Sequence, residues 1–211
     1  MPSAQDFIPA GQPSLPDLAE AATGCRGCDL YRDASQTVFG RGPADASVML
    51  VGEQPGDQED LAGEPFVGPA GAMLDRALAE AGIDRRRVYV TNAVKHFKWR
   101  PQGKRRLHEK PNASEVRACL PWLQAELALV RPRVLVLLGA TAAQAALGKP
   151  TRIGESPGNV AISPLAPHVL ITLHPSAILR MPTDDQCHEA MRSLIEDMKL
   201  VRAKLEKDAT N

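Results

Sequence analysis

Four short apolar runs recur along the 211-residue chain: SVMLVG at 47–52, RVYVTNAV at 87–94, PRVLVLLG at 132–139 and HVLITLHP at 168–175. Each is nearly continuous instead of alternating polar with apolar, the pattern of strands covered on both faces of a parallel sheet. The stretches that follow them carry helical spacing: PAGAMLDRALAEAG after the first run, SEVRACLPWLQAELALV after the second and TAAQAALG after the third. Near the carboxy terminus Cys187, Met191, Leu194, Met198, Val201 and Leu205 recur at the same spacing, which predicts a helix over one sheet face with Cys187 in the core. This β-α-β-α alternation, undivided by any low-complexity linker, predicts a single α/β domain over 1–211, with residues 1–20 a loosely ordered lead-in.

Open parallel sheets bind ligands at the carboxyl ends of their strands. Those ends read GEQPG (52–56), TNAVKH (91–96), LGAT (138–141) and LHPS (173–176), and they hold most of the unusual residues. A pocket built from GEQPG, Asn92 and His174 is the expectation. The segment KHFKWRPQGKRRLHEKPNAS (95–114) reads as an unstructured insertion between a strand and a helix. Loops of that length are usually functional or disordered. It springs from the same sheet edge as the pocket and carries a basic run ending in His108.

Lysine plus arginine and aspartate plus glutamate each number 25, so there is no overall basic field and any polyanion must be met by a local patch. The amino terminus has neither a basic n-region nor an apolar h-region, and no apolar run is long enough for a bilayer, so a cytosolic protein without membrane contact is expected. Four cysteines in such a chain point to metal, redox chemistry or burial. Cys25 and Cys28 form a C-x-x-C pair. With Cys119 and His96 they make three thiolates and an imidazole, suited to zinc or an iron–sulfur cluster. A redox dithiol at 25 and 28 beside a buried Cys119 is the open alternative. No dinucleotide or Walker glycine motif occurs at a strand-to-helix turn.

Taken together, GEQPGDQEDLAGEPFVGPAGAMLD, TNAVKHFKW, GKRRLHEK, LVLLGATAAQAALG and LHPSAILR resemble the iron–sulfur uracil-DNA glycosylases, and within them the UdgX type. The resemblance runs from about residue 20 to the end, and the KRR-x-H segment is its most specific part. It implies a three-layer α/β/α sandwich with a central four-stranded parallel sheet and a pocket for an extruded uracil. It implies that Gly52, Glu53 and the backbone around Gln54 line the pocket, Phe66 stacks on the base, Asn92 reads its edge and His174 faces it as it leaves. Lys104, Arg105, Arg106, Ser176 and Arg180 would contact DNA. Cys25, Cys28 and Cys119 match three ligands of a 4Fe–4S cluster, and His96 stands where ordinary family-four enzymes have cysteine. The implied protein is a monomer acting on uracil-containing DNA, single strands included, with His108 capturing the sugar after the base has left.

Overall fold

A computed structural model describes residues 2–148 and 161–209. Its strands are β1 (Val48–Gly52), β2 (Val88–Asn92), β3 (Trp99–Gln102), β4 (Arg105–His108), β5 (Val134–Leu138), β6 (Ala161–Ser163) and β7 (Ala166–Thr172). The four apolar runs pair in parallel in the order β2-β1-β5-β7. The short β6 adds an antiparallel edge beyond β7. The helices are α1 (Leu15–Thr23), α2 (Asp57–Ala62), α3 (Pro69–Glu80), α4 (Ala113–Val130), α5 (Gly139–Leu147), α6 (Pro175–Ile178) and α7 (Asp184–Ala209). None among the described residues is long and apolar enough to cross a membrane.

Strand side chains alternate between faces, and here both faces are apolar. Val48, Leu50, Val90, Val136 and Leu170 pack against α3 and α7. Met49, Val51, Leu135, Leu137 and Val169 pack against α4 and α5. Burying each such side chain is worth about 1.5–3 kcal/mol, so a continuous apolar strand is stable only between two helical layers. The result is the expected α/β/α sandwich.

Two expectations are corrected. The amino-terminal segment is not a loose lead-in: a 3-10 turn at Ala4–Phe7 and α1 bury Ala4, Leu18 and Ala22 in a cluster with Trp122 of α4. Ser14 and Asp17 cap α1 reciprocally, and Gly27 lets Ala4 come close, since a Cβ there would lie 2.5 Å from the Ala4 nitrogen. The insertion at 95–114 is not structureless either, because β3 and β4 form an antiparallel hairpin with Trp99 opposite His108. Gly103, at φ +61°, takes the first central position of its two-residue turn, where a type II′ turn requires glycine. Asn112 then caps α4, accepting the Ser114 and Glu115 N–H groups at 2.9 Å each, and returns the chain to the sandwich.

Candidate active site

The chain leaves β1 for β2 on one side and returns to β5 on the other, so a crevice opens where the two connections diverge. It holds a cavity of about 390 Å³ lined by Glu53, Phe66, Asn92, His108, Thr141 and His174 among others. Gly52, the last residue of β1, is its floor. A Cβ there would stand 2.3 Å from Asn92 Oδ1, 2.8 Å from Phe66 Cζ and 3.4 Å from His174 Nε2. Three expected functional side chains therefore converge over a residue that must have none.

Phe66 adopts φ +59°, an uncommon conformation for a bulky residue. The turn is held from both sides. Gly71 of α3 lies so close that a Cβ would sit 1.8 Å from the Phe66 carbonyl oxygen. Buried Glu59 accepts the N–H groups of Gly56 at 3.0 Å and Gly68 at 2.8 Å, tying the GEQPG loop to the loop that carries Phe66.

His174 precedes α6, and its Nδ1 accepts the Ser176 N–H at 3.1 Å with the Ser176 hydroxyl 2.8 Å away. Burial pushes its pKa down to about 4, against a smaller upward pull from Glu53, so the ring is neutral near pH 7. With Nδ1 accepting, the single ring proton sits on Nε2, the atom directed at the floor. Ser176, expected to touch DNA, is bonded inward to His174.

Glu53 follows β1. One carboxylate oxygen accepts the Thr141 hydroxyl, and the other lies 3.4 Å from His108 Nε2. Burial alone would raise the Glu53 carboxyl, but hydrogen bonds from His108 and Thr141 and the charges of His108 and His174 outweigh it, so its pKa falls below the usual carboxylate range. A carboxylate, an imidazole with its side chain 42% exposed and a neutral N–H donor thus face one cavity.

The hairpin that delivers His108 is anchored at its base and along β4. The Gln54 amide donates to the Lys98 and Glu109 carbonyls and accepts the Lys98 N–H, all at 3.1 Å. Its expected contact with a base through the backbone is joined by this structural task of the side chain. Arg106, expected at a phosphate, is turned inward: its guanidinium donates to Asp57 and Asp60 at 2.6 Å each and to Ser35 at 3.1 Å, beside the rings of Phe97 and Trp99. Lys104 and Arg105 remain exposed at the hairpin tip, and Arg180 is exposed beyond α6.

Cys25, Cys28 and Cys119 share the buried cluster around Trp122, and none is in a disulfide. Trp122 Nε1–H donates to Cys25 Sγ at 3.3 Å, and the Lys95 N–H donates to Cys119 Sγ at 3.2 Å. Such N–H···S bonds favour thiolate, whereas burial pushes the Cys119 thiol up to about 12 and raises Cys28. A metal displacing those protons reverses that balance. Buried His96 approaches Thr37 through Nε2 at 2.9 Å, and the Thr37 hydroxyl gives its proton to the Ala22 carbonyl. Nε2 then carries the ring proton, and Nδ1 keeps the lone pair a metal takes. The donor types fit an iron–sulfur cluster, although among the described residues no three such side chains stand at metal-ligand spacing.

Thr141, Glu59 and Lys110 also line the cavity and were not singled out from sequence. Glu59 had a local signal: it follows Gly56 by three residues, the spacing at which a carboxylate caps a helix start. Thr141 stood within the LGAT strand end without a partner to mark it.

The profile of the Uracil DNA glycosylase superfamily matches residues 39–199. A Type-4 uracil-DNA glycosylase of Pyrobaculum aerophilum is 38% identical over 175 residues, 80% of this chain and 86% of that protein. One of Thermotoga maritima is 35% identical over 192 residues, 90% of this chain and 94% of that protein. A Type-5 uracil-DNA glycosylase of Pyrobaculum aerophilum is 36% identical over 138 residues, 56% of this chain and 58% of that protein.

Proposed function

Because this chain belongs to the uracil-DNA glycosylase superfamily, we propose that it excises uracil from DNA and then, as a UdgX-type enzyme, joins the abasic sugar to His108. The observation that carries the reading is the convergence of Asn92, Phe66 and a neutral His174 Nε2–H over Gly52, with the Glu53–His108 contact at the same cavity. An extruded base stacks on Phe66, and the Asn92 amide meets the N3–H and O4 of uracil. Cytosine reverses donor and acceptor there and leaves buried groups unpaired.

Cleavage of the bond between C1′ and the base moves its electron pair onto uracil and leaves an oxocarbenium-like sugar. The His174 N–H stabilises the first charge. The Glu53 carboxylate stabilises the second. One ring nitrogen of His108 then donates its lone pair to C1′, and the surplus proton of the resulting imidazolium passes from the other ring nitrogen to Glu53 or solvent. A nucleophile held in place has an effective molarity of roughly 10⁵ M or more, above that of bulk water, so capture outruns hydrolysis.

Cys25, Cys28, Cys119 and His96 are the residues that would hold a 4Fe–4S cluster, which would brace the segment from which the hairpin springs. Anaerobically purified protein should contain iron and acid-labile sulfide. Colourless protein with stoichiometric zinc would overturn the cluster.

The function is tested by incubation with a uracil-containing oligonucleotide and denaturing electrophoresis. The expected product is a slow band that survives denaturation, absent with the cytosine control and absent from His108→Ser, which still releases uracil. A wild type that yields only free abasic DNA would leave an ordinary turnover glycosylase.

A further inference from the structure

Lys95 has no exposed side-chain area and takes no part in the chemistry above. Its ammonium has three protons and three acceptors: Glu126 Oε2 at 2.5 Å, Thr91 Oγ1 at 2.5 Å and the backbone carbonyl of Asn92 at 2.9 Å. Glu126, equally buried, accepts the Gly40 N–H at 3.1 Å and the Tyr89 hydroxyl at 3.0 Å through its other oxygen. The peptide after Asn92 is therefore fixed at both ends. Its carbonyl is held by Lys95, and its N–H, that of Ala93, donates to the Gly52 carbonyl at 2.9 Å. The N–H of Lys95 itself bonds Cys119 Sγ, so one residue ties the end of β2 to the cysteine cluster.

We propose that Lys95, with Glu126 as its counter-charge, is a positioning residue that sets the direction in which Asn92 presents its amide to the base. A buried ion pair contributes little net stability compared with an apolar pair of the same volume. An apolar pair, however, has no donor for the Asn92 carbonyl. Asn92 Oδ1 stands over the Gly52 floor within a space that admits no extra methyl group, so a rotated peptide carries the amide out of register with the base. This rests on the reading that Asn92 recognises uracil.

The test is a double-mutant cycle on the single-turnover rate of uracil release at saturating DNA, in wild type, Asn92→Ala, Lys95→Met with Glu126→Gln, and all three substitutions combined. Changing both members leaves no lone buried charge, and glutamine keeps an acceptor for Gly40 and Tyr89. The paired variant should slow release by about 10- to 100-fold, the cost of a misplaced contact, with DNA affinity changed less than about twofold. In the Asn92→Ala background the same pair should cost less than about twofold more, because the two act as one unit. A wild-type rate in the paired variant, or losses that multiply in the combined one, overturns the positioning role alone. An unchanged rate in Asn92→Ala overturns base reading by Asn92, and the inference with it. Thermal unfolding checks that each variant folds; if the methionine pair does not, Lys95→Gln with Glu126→Gln, which refills part of the network, should give a smaller loss that is again absent without Asn92.

Discussion

The protonation states of two side chains set how the pocket responds to acid. His174 works as a neutral donor only while Nδ1 accepts from Ser176, and protonation of Nδ1 destroys that acceptor. Its pKa is depressed to about 4 by burial, so the neutral form persists far below the ordinary imidazole value of about 6.5. Glu53 is also depressed, held ionised by His108 and Thr141 against the effect of its own burial, so the carboxylate survives over the same range. Both changes move the acid limb downward. Single-turnover uracil release by the wild type, in which His108 stays beside Glu53, should hold its rate from pH 7 to about 5 and fall only as the pH nears 4. A stopped-assay pH profile checks this, and a half-loss near pH 6.5 would mean that His174 titrates as an ordinary exposed imidazole.

On the proposed reading, the hairpin of β3 and β4 would separate capture from excision, because the groups expected to face the base stand on other segments: Glu53 after β1, Phe66 before α3, Asn92 on β2 and His174 before α6. Gln54→Ala should leave the Lys98 N–H and the Glu109 carbonyl without that partner, while the Lys98 carbonyl keeps only the Glu109 N–H at 2.9 Å, a cost of about 1–3 kcal/mol concentrated at the hairpin base. Adduct formation should slow by about 10- to 100-fold while uracil release changes less. Rapid-quench time courses that follow both products check it, and equal slowing of the two would show that the hairpin also supports excision. This element was also the least legible in the sequence. The core strands carry their own signature, since side chains such as Leu50 and Leu135 are apolar on both faces. WRPQ and RRLH have neither alternation nor β-branching, and the hairpin they form is tied down by Arg106 of β4 reaching Asp57 and Asp60 of α2 and by Gln54 beyond β1. The strand-end residues of the pocket were readable from the topology, whereas the inward turn of Arg106 depends on Asp60, 46 residues away in sequence, and that of Ser176 on the ring of His174 two residues before it, contacts that residue spacing does not mark.

At the scale of the molecule, zero formal charge leaves DNA association to the face around the cavity mouth. Lys110 and Arg180 line the cavity and are exposed, and Lys104 and Arg105 are exposed at the tip of the hairpin that carries His108, while Arg106 is held by Asp57 and Asp60. Each phosphate neutralised on a single strand contributes about 0.7 to the log–log salt slope, so four contacts give a slope of about −3. Arg105→Ala should make it shallower by about 0.7. Arg106→Ala should leave the slope unchanged and instead slow the adduct, because it frees β4 and the histidine at its end. Fluorescence anisotropy across a salt series, paired with denaturing gels of the same variants, separates the two effects. A flat salt response in the wild type would remove this face from the DNA interface, and equal slope changes in the two arginine variants would mean that Arg106 leaves its carboxylates to meet phosphate when DNA binds.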